Sequence, residues 1–149
     1  MEIRQVYTNK KEYLPLLLLG DEQENMIDRY LVQGEMYIMF DDGEPVAVCV
    51  VALQVDGICE IKNLAVSPNR QQQGLGRQMI EFICRKYCGC CHTLLVGTGD
   101  SPLTIPFYER CGFREAYRVP DFFTDHYDHP IIEGGCQLAD MVYLALVLK

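Results

Sequence analysis

A strand that turns through two glycines into a helix limits this chain more than any other feature. Glu60 to Val66 is an apolar, strand-like run, and about Gln73 to Tyr87 reads as a strongly amphipathic helix. Between them lies Gln71-Gln72-Gln73-Gly74-Leu75-Gly76-Arg77. The first N–H groups of a helix have no intrahelical partner, and its dipole favours negative charge there. Gly74 and Gly76 carry no Cβ, so a phosphate can approach the backbone. The stretch reads as the seat of a phosphorylated cofactor, or else as a loop whose glycines serve only a tight turn. A dinucleotide fold wants Gly-x-Gly-x-x-Gly, and Met79 stands at the third position, which disfavours it.

The remaining elements follow from pattern. Glu2 to Tyr7 reads as a strand. Asn9 is placed to cap a helix from Lys10 to about Leu19, stopped by Gly20. Asp21 to about Gln33 reads as a second helix ended by Gly34, with Met26, Ile27, Tyr30 and Leu31 on one side. Met36 to Phe40 and Val46 to Val55 are strands joined at Asp42-Gly43, and Asp56-Gly57 leads into the strand Ile58 to Val66. Thr93 to Gly97 is a buried strand. A short helix from Ser101 or Pro102 to Cys111 stops at Gly112. Phe113 to Val119 is a strand, Pro120 to Gln137 a long irregular loop, and Leu138 to Leu148 a final apolar strand. The plan is one α/β (α+β layered) domain over residues 1–149, a mixed and mostly antiparallel sheet flanked by helices.

Size supports that plan: a chain of 149 residues is one domain by length and can bury roughly 70% of its unfolded surface. No apolar run is long enough to span a bilayer, since Leu14 to Leu19 is short and contains Pro15. The start Met1-Glu2-Ile3-Arg4 lacks the apolar region of a secretory signal, so the expected location is cytoplasmic, with no membrane partner. A net charge of −8 argues against nucleic acid as a partner and suits a cationic substrate. Without an oxidising compartment the eight cysteines are expected as free thiols. Cys88-x-x-Cys91 with Cys90 and His92 lacks the distant second pair of a zinc site, so no metal is expected. His126 and His129, with Asp125 and Asp128, also lack strong ligand spacing.

Gln71-x-x-Gly74-x-Gly76 resembles the Gln/Arg-x-x-Gly-x-Gly/Ala signature of the GNAT (GCN5-related) N-acetyltransferases. Glu60 to Pro68 is similar to that family's fourth strand and the turn leaving it. Pro106-Phe107-Tyr108-Glu109-Arg110-Cys111-Gly112-Phe113 resembles its second motif, and the two motifs come in the family's order and spacing. The resemblance implies the GNAT acyl-CoA N-acyltransferase fold. It also implies acetyl-CoA as acyl donor and direct transfer to a primary amine, of a small molecule or a peptide. The alternative on the same fold is a non-catalytic acyl-CoA-binding or sensing module. A thiol-redox or metal protein built on the cysteine cluster is the alternative from another class.

Residue by residue, the resemblance places the cofactor's pyrophosphate on backbone N–H groups of Gln72, Gln73, Gly74, Leu75, Gly76 and Arg77, with Gln71 opening the motif. Unpaired backbone at the end of the strand, over Leu64, Ala65 and Val66, meets the thioester and pantetheine arm. Tyr108 matches the family's general acid for the leaving thiolate; its other reading is an aromatic packing residue beside Phe107. Glu60, fourteen positions before Gly74, is the candidate base, or else an ion-paired strand residue. Ser101 and Thr104 stand where the family often has asparagine and alanine; the Ser101 hydroxyl remains a candidate cofactor contact. Gln73 replaces a frequent basic residue. The loop 121–129, with its carboxylates and aromatics, is expected near the acceptor. A homodimer could form through the long apolar final strand.

Overall fold

Both Asp-Gly pairs turn the chain back on itself. Asp42 and Gly43 take φ of 51° and 80°, and Asp56 and Gly57 take 61° and 76°. Positive φ at both central residues matches the twist of a hairpin. In the computed structural model, which describes all residues Met1–Lys149, these turns join β2 (Glu35–Asp41), β3 (Glu44–Leu53) and β4 (Ile58–Val66), and β1 (Glu2–Val6) adds antiparallel to β2. Further strands are β5 (Thr93–Gly99), β6 (Arg114–Val119), β7 (Ile132–Glu133), β8 (Cys136–Gln137) and β9 (Met141–Val147). The main sheet runs β1-β2-β3-β4-β5-β9-β6, and only β4 and β5 are parallel.

Two apolar layers hold the sheet. Tyr37, Met39, Cys49, Val51 and Ile61 face α3 (Leu75–Tyr87), whose Met79, Ile80 and Ile83 are buried against them. Met36, Ile38, Val48 and Val50 face the other way, under Leu16, Leu17, Ile27 and Leu31. The strands β2 and β3 alternate between these layers, so they are apolar at nearly every position.

The early helices are shorter than the pattern predicts. Lys10–Tyr13 is a 3₁₀ turn, and α1 spans Leu14–Gly20. Pro15 has no N–H to continue a ladder from the turn before it, and suits the start of a new helix. Asn9 makes no side-chain cap and takes φ of 54°. Of the expected helix 21–33 only α2 (Glu24–Ile27) forms; mixed turns follow, closed by the Gly34 N–H on Tyr30 O. The loop 120–137 contains a short helix, α5 (Phe122–His126), and the hairpin β7–β8 about Gly134 and Gly135.

The final strand is not free to pair with a second copy. Strand β9 lies inside the sheet, bonded to β5 on one side and β6 on the other. The open edges are β1 and β6. No helix is long and apolar enough to cross a membrane.

Candidate active site

The sheet opens in the middle. Parallel pairing of β4 with β5 stops at Ile61 and Val96, although β4 continues to Val66 and β5 to Gly99. On its other side β4 stays paired with β3 as far as Val66. The Ser67 N–H bonds Val46 O, and antiparallel ladders alternate. The backbone groups of Leu64 and Val66 therefore point toward the gap, where β5 offers no partner. Those of Ala65 point to Val48, and its side chain packs in the layer under α1. Sequence reading placed Ala65 with Leu64 and Val66; the pleat turns it away from the gap.

The glycine motif stands beside this opening. Gln72 and Gly74 both adopt left-handed φ, 61° and 81°, so α3 begins at Leu75 rather than Gln73. The first bond of the helix is from Gln78 N–H to Gly74 O, which leaves the N–H groups of Leu75, Gly76 and Arg77 without helical acceptors. A Cβ on Gly74 would meet open space, so that glycine is required by φ. A Cβ on Gly76 would lie 3.1 Å from Phe107 Cζ, so that glycine permits close approach of α4 (Ile105–Arg110). The Gln71 side chain donates to Val66 O at 3.1 Å, and Arg70 holds the loop to Asp41 at 2.7 Å. Arg77 pairs loosely with Glu81 on the surface.

Below the gap is a cleft of about 200 Å³, lined in part by Lys62, Asn63, Leu64, Thr98 and Tyr108. Tyr108 sits edge-on between Phe107 and Phe113, with ring centroids at 5.1 and 5.5 Å. Burial pushes its phenol well above the usual tyrosine range, so the proton stays on at neutral pH. Ser101 is buried, and its hydroxyl accepts from Leu103 N–H at 3.1 Å. It shapes the turn before α4 and does not line the cleft.

Glu60 is not brought to the cleft. Its Oε1 accepts from Gln54 Nε2 at 3.0 Å, and its Oε2 pairs with Lys62 Nζ at 3.2 Å. Both oxygens are engaged, and it is Lys62 that reaches the lining. The ion-paired strand residue is the geometry found.

Other acids do line the cleft: Asp21 and Glu22 from the turn after α1, and Glu133 from β7. Asp21 Oδ1 accepts from Tyr127 OH at 2.8 Å and Oδ2 from Tyr30 OH at 3.2 Å. Burial raises its carboxyl above the usual carboxylate range, against the opposing pull of those bonds. Phe123 and Tyr127 stack at 5.4 Å and supply an aromatic wall. Sequence reading placed the loop 121–129 near the acceptor but missed Asp21, Glu22 and Glu133. The Gly134-Gly135 pair between two apolar stretches was the available signal for a hairpin carrying Glu133.

The cysteine cluster stands apart. Cys59 is buried and its thiol is pushed up to about 12, chiefly by burial. Cys90 and Cys91 sulfurs lie 3.7 Å apart. His92 bonds Asp56 O and Thr93 Oγ1, both at 2.7 Å, latching the β3–β4 turn. No three His, Cys, Asp or Glu side chains converge as a ligand set.

This arrangement of splayed strands, glycine-capped helix and buried tyrosine defines an acyltransferase of the GNAT class. A family model described as an acetyltransferase (GNAT) domain matches residues 33–115. YvbK of Bacillus subtilis (strain 168), named an uncharacterised N-acetyltransferase, is 37% identical over 143 residues, 95% of this chain and 92% of that protein. Two solved structures superpose over 99% of this chain. A GNAT family acetyltransferase from Elizabethkingia anophelis with acetyl-CoA bound has a TM-score of 0.93, 32% identity and 97% coverage of its own chain. A Bacillus subtilis acetyltransferase in complex with CoA has 0.91, 35% and 99%. The chain belongs to the GNAT acetyltransferase family.

Proposed function

We propose that this protein moves the acetyl group of acetyl-CoA to a primary amine by direct attack in a ternary complex. The observation that carries the reading is the splay: outward N–H groups at Leu64, which lines the cleft with Tyr108, and at Val66, which lies beside Gly76 at the start of α3. The pyrophosphate sits on the N–H groups of the 72–77 turn, where the helix dipole favours negative charge. The Leu64 and Val66 backbone receives the pantetheine arm and the thioester oxygen. Such a donor aimed at a developing oxyanion contributes ~10²-fold or more in rate. Tyr108, still protonated, donates to the departing thiolate sulfur. The acidic cleft, with Asp21, Glu22 and Glu133 facing a single base already paired to Glu60, supports a cationic acceptor.

Calorimetric titration with acetyl-CoA, on the wild type and on Gly74→Glu, tests the cofactor site. Binding is expected in the wild type and lost in the variant, whose side chain puts a carboxylate into an anion site and a Cβ at φ of 81°. Equal binding by both would sink the 72–77 placement. Thiol release is then followed with 2-phenylethylamine, putrescine and glycinamide as acceptors. Binding without turnover of any amine would overturn the acceptor reading in favour of an acyl-CoA-binding module.

A further inference from the structure

Two side-chain oxygens in the protein are buried without a hydrogen-bond partner, Asn63 Oδ1 and Glu133 Oε2. The first is packed tightly against Gly20, where even a Cβ would overlap it. The second belongs to a carboxylate lining the cleft that also holds Tyr108. A buried carboxylate oxygen without a donor is costly, and native proteins rarely keep one without a reason.

The other ionisable groups of the cleft are engaged. Asp21 accepts from Tyr127 and Tyr30. Glu22 lies 3.6 Å from His129 Nε2, and Lys62 is paired with Glu60. Tyr108 has its proton. Glu133 is therefore the one carboxylate of the cleft that no donor of the protein engages, and the acceptor's N–H donors have it to meet. Its place is fixed by packing rather than by a free loop. A Cβ on Gly134 would lie 3.3 Å from Pro102 Cγ, so the hairpin rests on the turn that leads into α4. Leu138, just after β8, is buried against Gly99 at the end of β5, and its N–H bonds Ile131 O at 2.8 Å. The Glu133 charge also acts on Tyr108, adding to the effect of burial in holding its proton.

We propose that Glu133 is the carboxylate that receives the acceptor amine in the cleft and takes its proton. The assignment rests on the amine-acceptor reading above. The acceptor enters as an ammonium and gives one proton to Glu133. The neutral nitrogen then attacks the thioester carbon, forming the C–N bond. As the C–S bond breaks, Tyr108 protonates the thiolate and regains a proton from the new amide nitrogen. Glu133 releases its proton to solvent, so the products are the acetylated amine, CoA thiol and one proton.

The test is Glu133→Gln, which keeps the shape and a hydrogen-bond acceptor but not the base, with Glu60→Gln as comparison. The probe is whichever of 2-phenylethylamine, putrescine or glycinamide the wild type turns over fastest. Acetyl-CoA affinity is expected to be unchanged in Glu133→Gln, and kcat/KM for the amine to fall by ~10²-fold near pH 7. The deficit is expected to shrink roughly tenfold per pH unit toward the amine's own pKa, because the variant must wait for free base. Glu60→Gln is expected to leave that pH slope as in the wild type. A loss in Glu133→Gln that is equal at every pH, or no loss, would overturn the assignment while leaving amine transfer intact. Absence of wild-type turnover with all three amines would overturn the acceptor reading and this one together.

Discussion

Tyr108 carries two demands that are usually separate. Its ring fills a core position between Phe107 and Phe113, and the same residue lines the cleft. Replacing it with phenylalanine keeps the packing and removes only the proton donor, so the two roles can be separated. Tyr108→Phe is expected to bind acetyl-CoA as the wild type does and to lose ~10²-fold in kcat. Steady-state thiol release with a primary amine checks this; an unchanged kcat would make Tyr108 a core aromatic only. Burial holds the phenol above its usual value. The wild type should therefore show no loss of rate from this group at any pH below about 10. Spacing alone could not choose between acid and packing residue, because a ring packed between Phe107 and Phe113 at the cleft is compatible with either.

At the scale of elements, α4 presents Tyr108 by ending at a fixed place. Gly112 follows it at φ of 103°, and a Cβ there would lie 3.1 Å from Leu146 Cδ1. Gly112→Ala is expected to lower stability by ~1–3 kcal/mol through backbone strain alone. Urea unfolding against the wild type measures it, and Gly43→Ala, whose Cβ meets open space at φ of 80°, gives the cost of left-handed φ without a close neighbour. A Gly112→Ala midpoint at or above that of the wild type would show that α4 does not need its left-handed stop. Both glycines were legible in the sequence, as were the Asp-Gly hairpins and α3, since local rules decide such features. The helix expected over 21–33 was not. Its first residue spends its carboxylate on Tyr30 and Tyr127 rather than on capping, and the helix shrinks to Glu24–Ile27. The place of β9 inside the sheet was equally hidden: an apolar run reveals burial but not its neighbours. Glu60 illustrates the same limit within the site. Its distance from Gly74 fits a base, yet Gln54, brought across by the β3–β4 turn, and Lys62, two residues along the same strand, occupy both oxygens.

Across the whole molecule, one network closes one side of the cleft. Tyr127, after α5, reaches Asp21, after α1, across 106 positions of sequence. Tyr30 bonds the same carboxylate and accepts from Asn63 Nδ2, which also donates to Leu17 O. The end of α1, the turns after α2, strand β4 and the long loop are thereby held to one another through Asp21. Burial raises the Asp21 carboxyl above its ordinary value near 3.8, because the protein withdraws its charged form from water. The folded state then binds this proton more tightly than the unfolded chain does. The stability it contributes is full below the unfolded value and is lost as pH rises through the raised folded one. Asp21→Asn has no such titration, while every other carboxylate is common to both proteins. Wild-type stability minus that of Asp21→Asn is therefore expected to fall as pH rises from about 4 through the raised value, then to level off. Urea unfolding of both proteins across that range measures the difference. A difference that grows with pH would mean that the two tyrosine hydrogen bonds outweigh burial. Asp21 would then be a carboxylate stabilised in its charged form, and the network would tighten with rising pH instead of loosening.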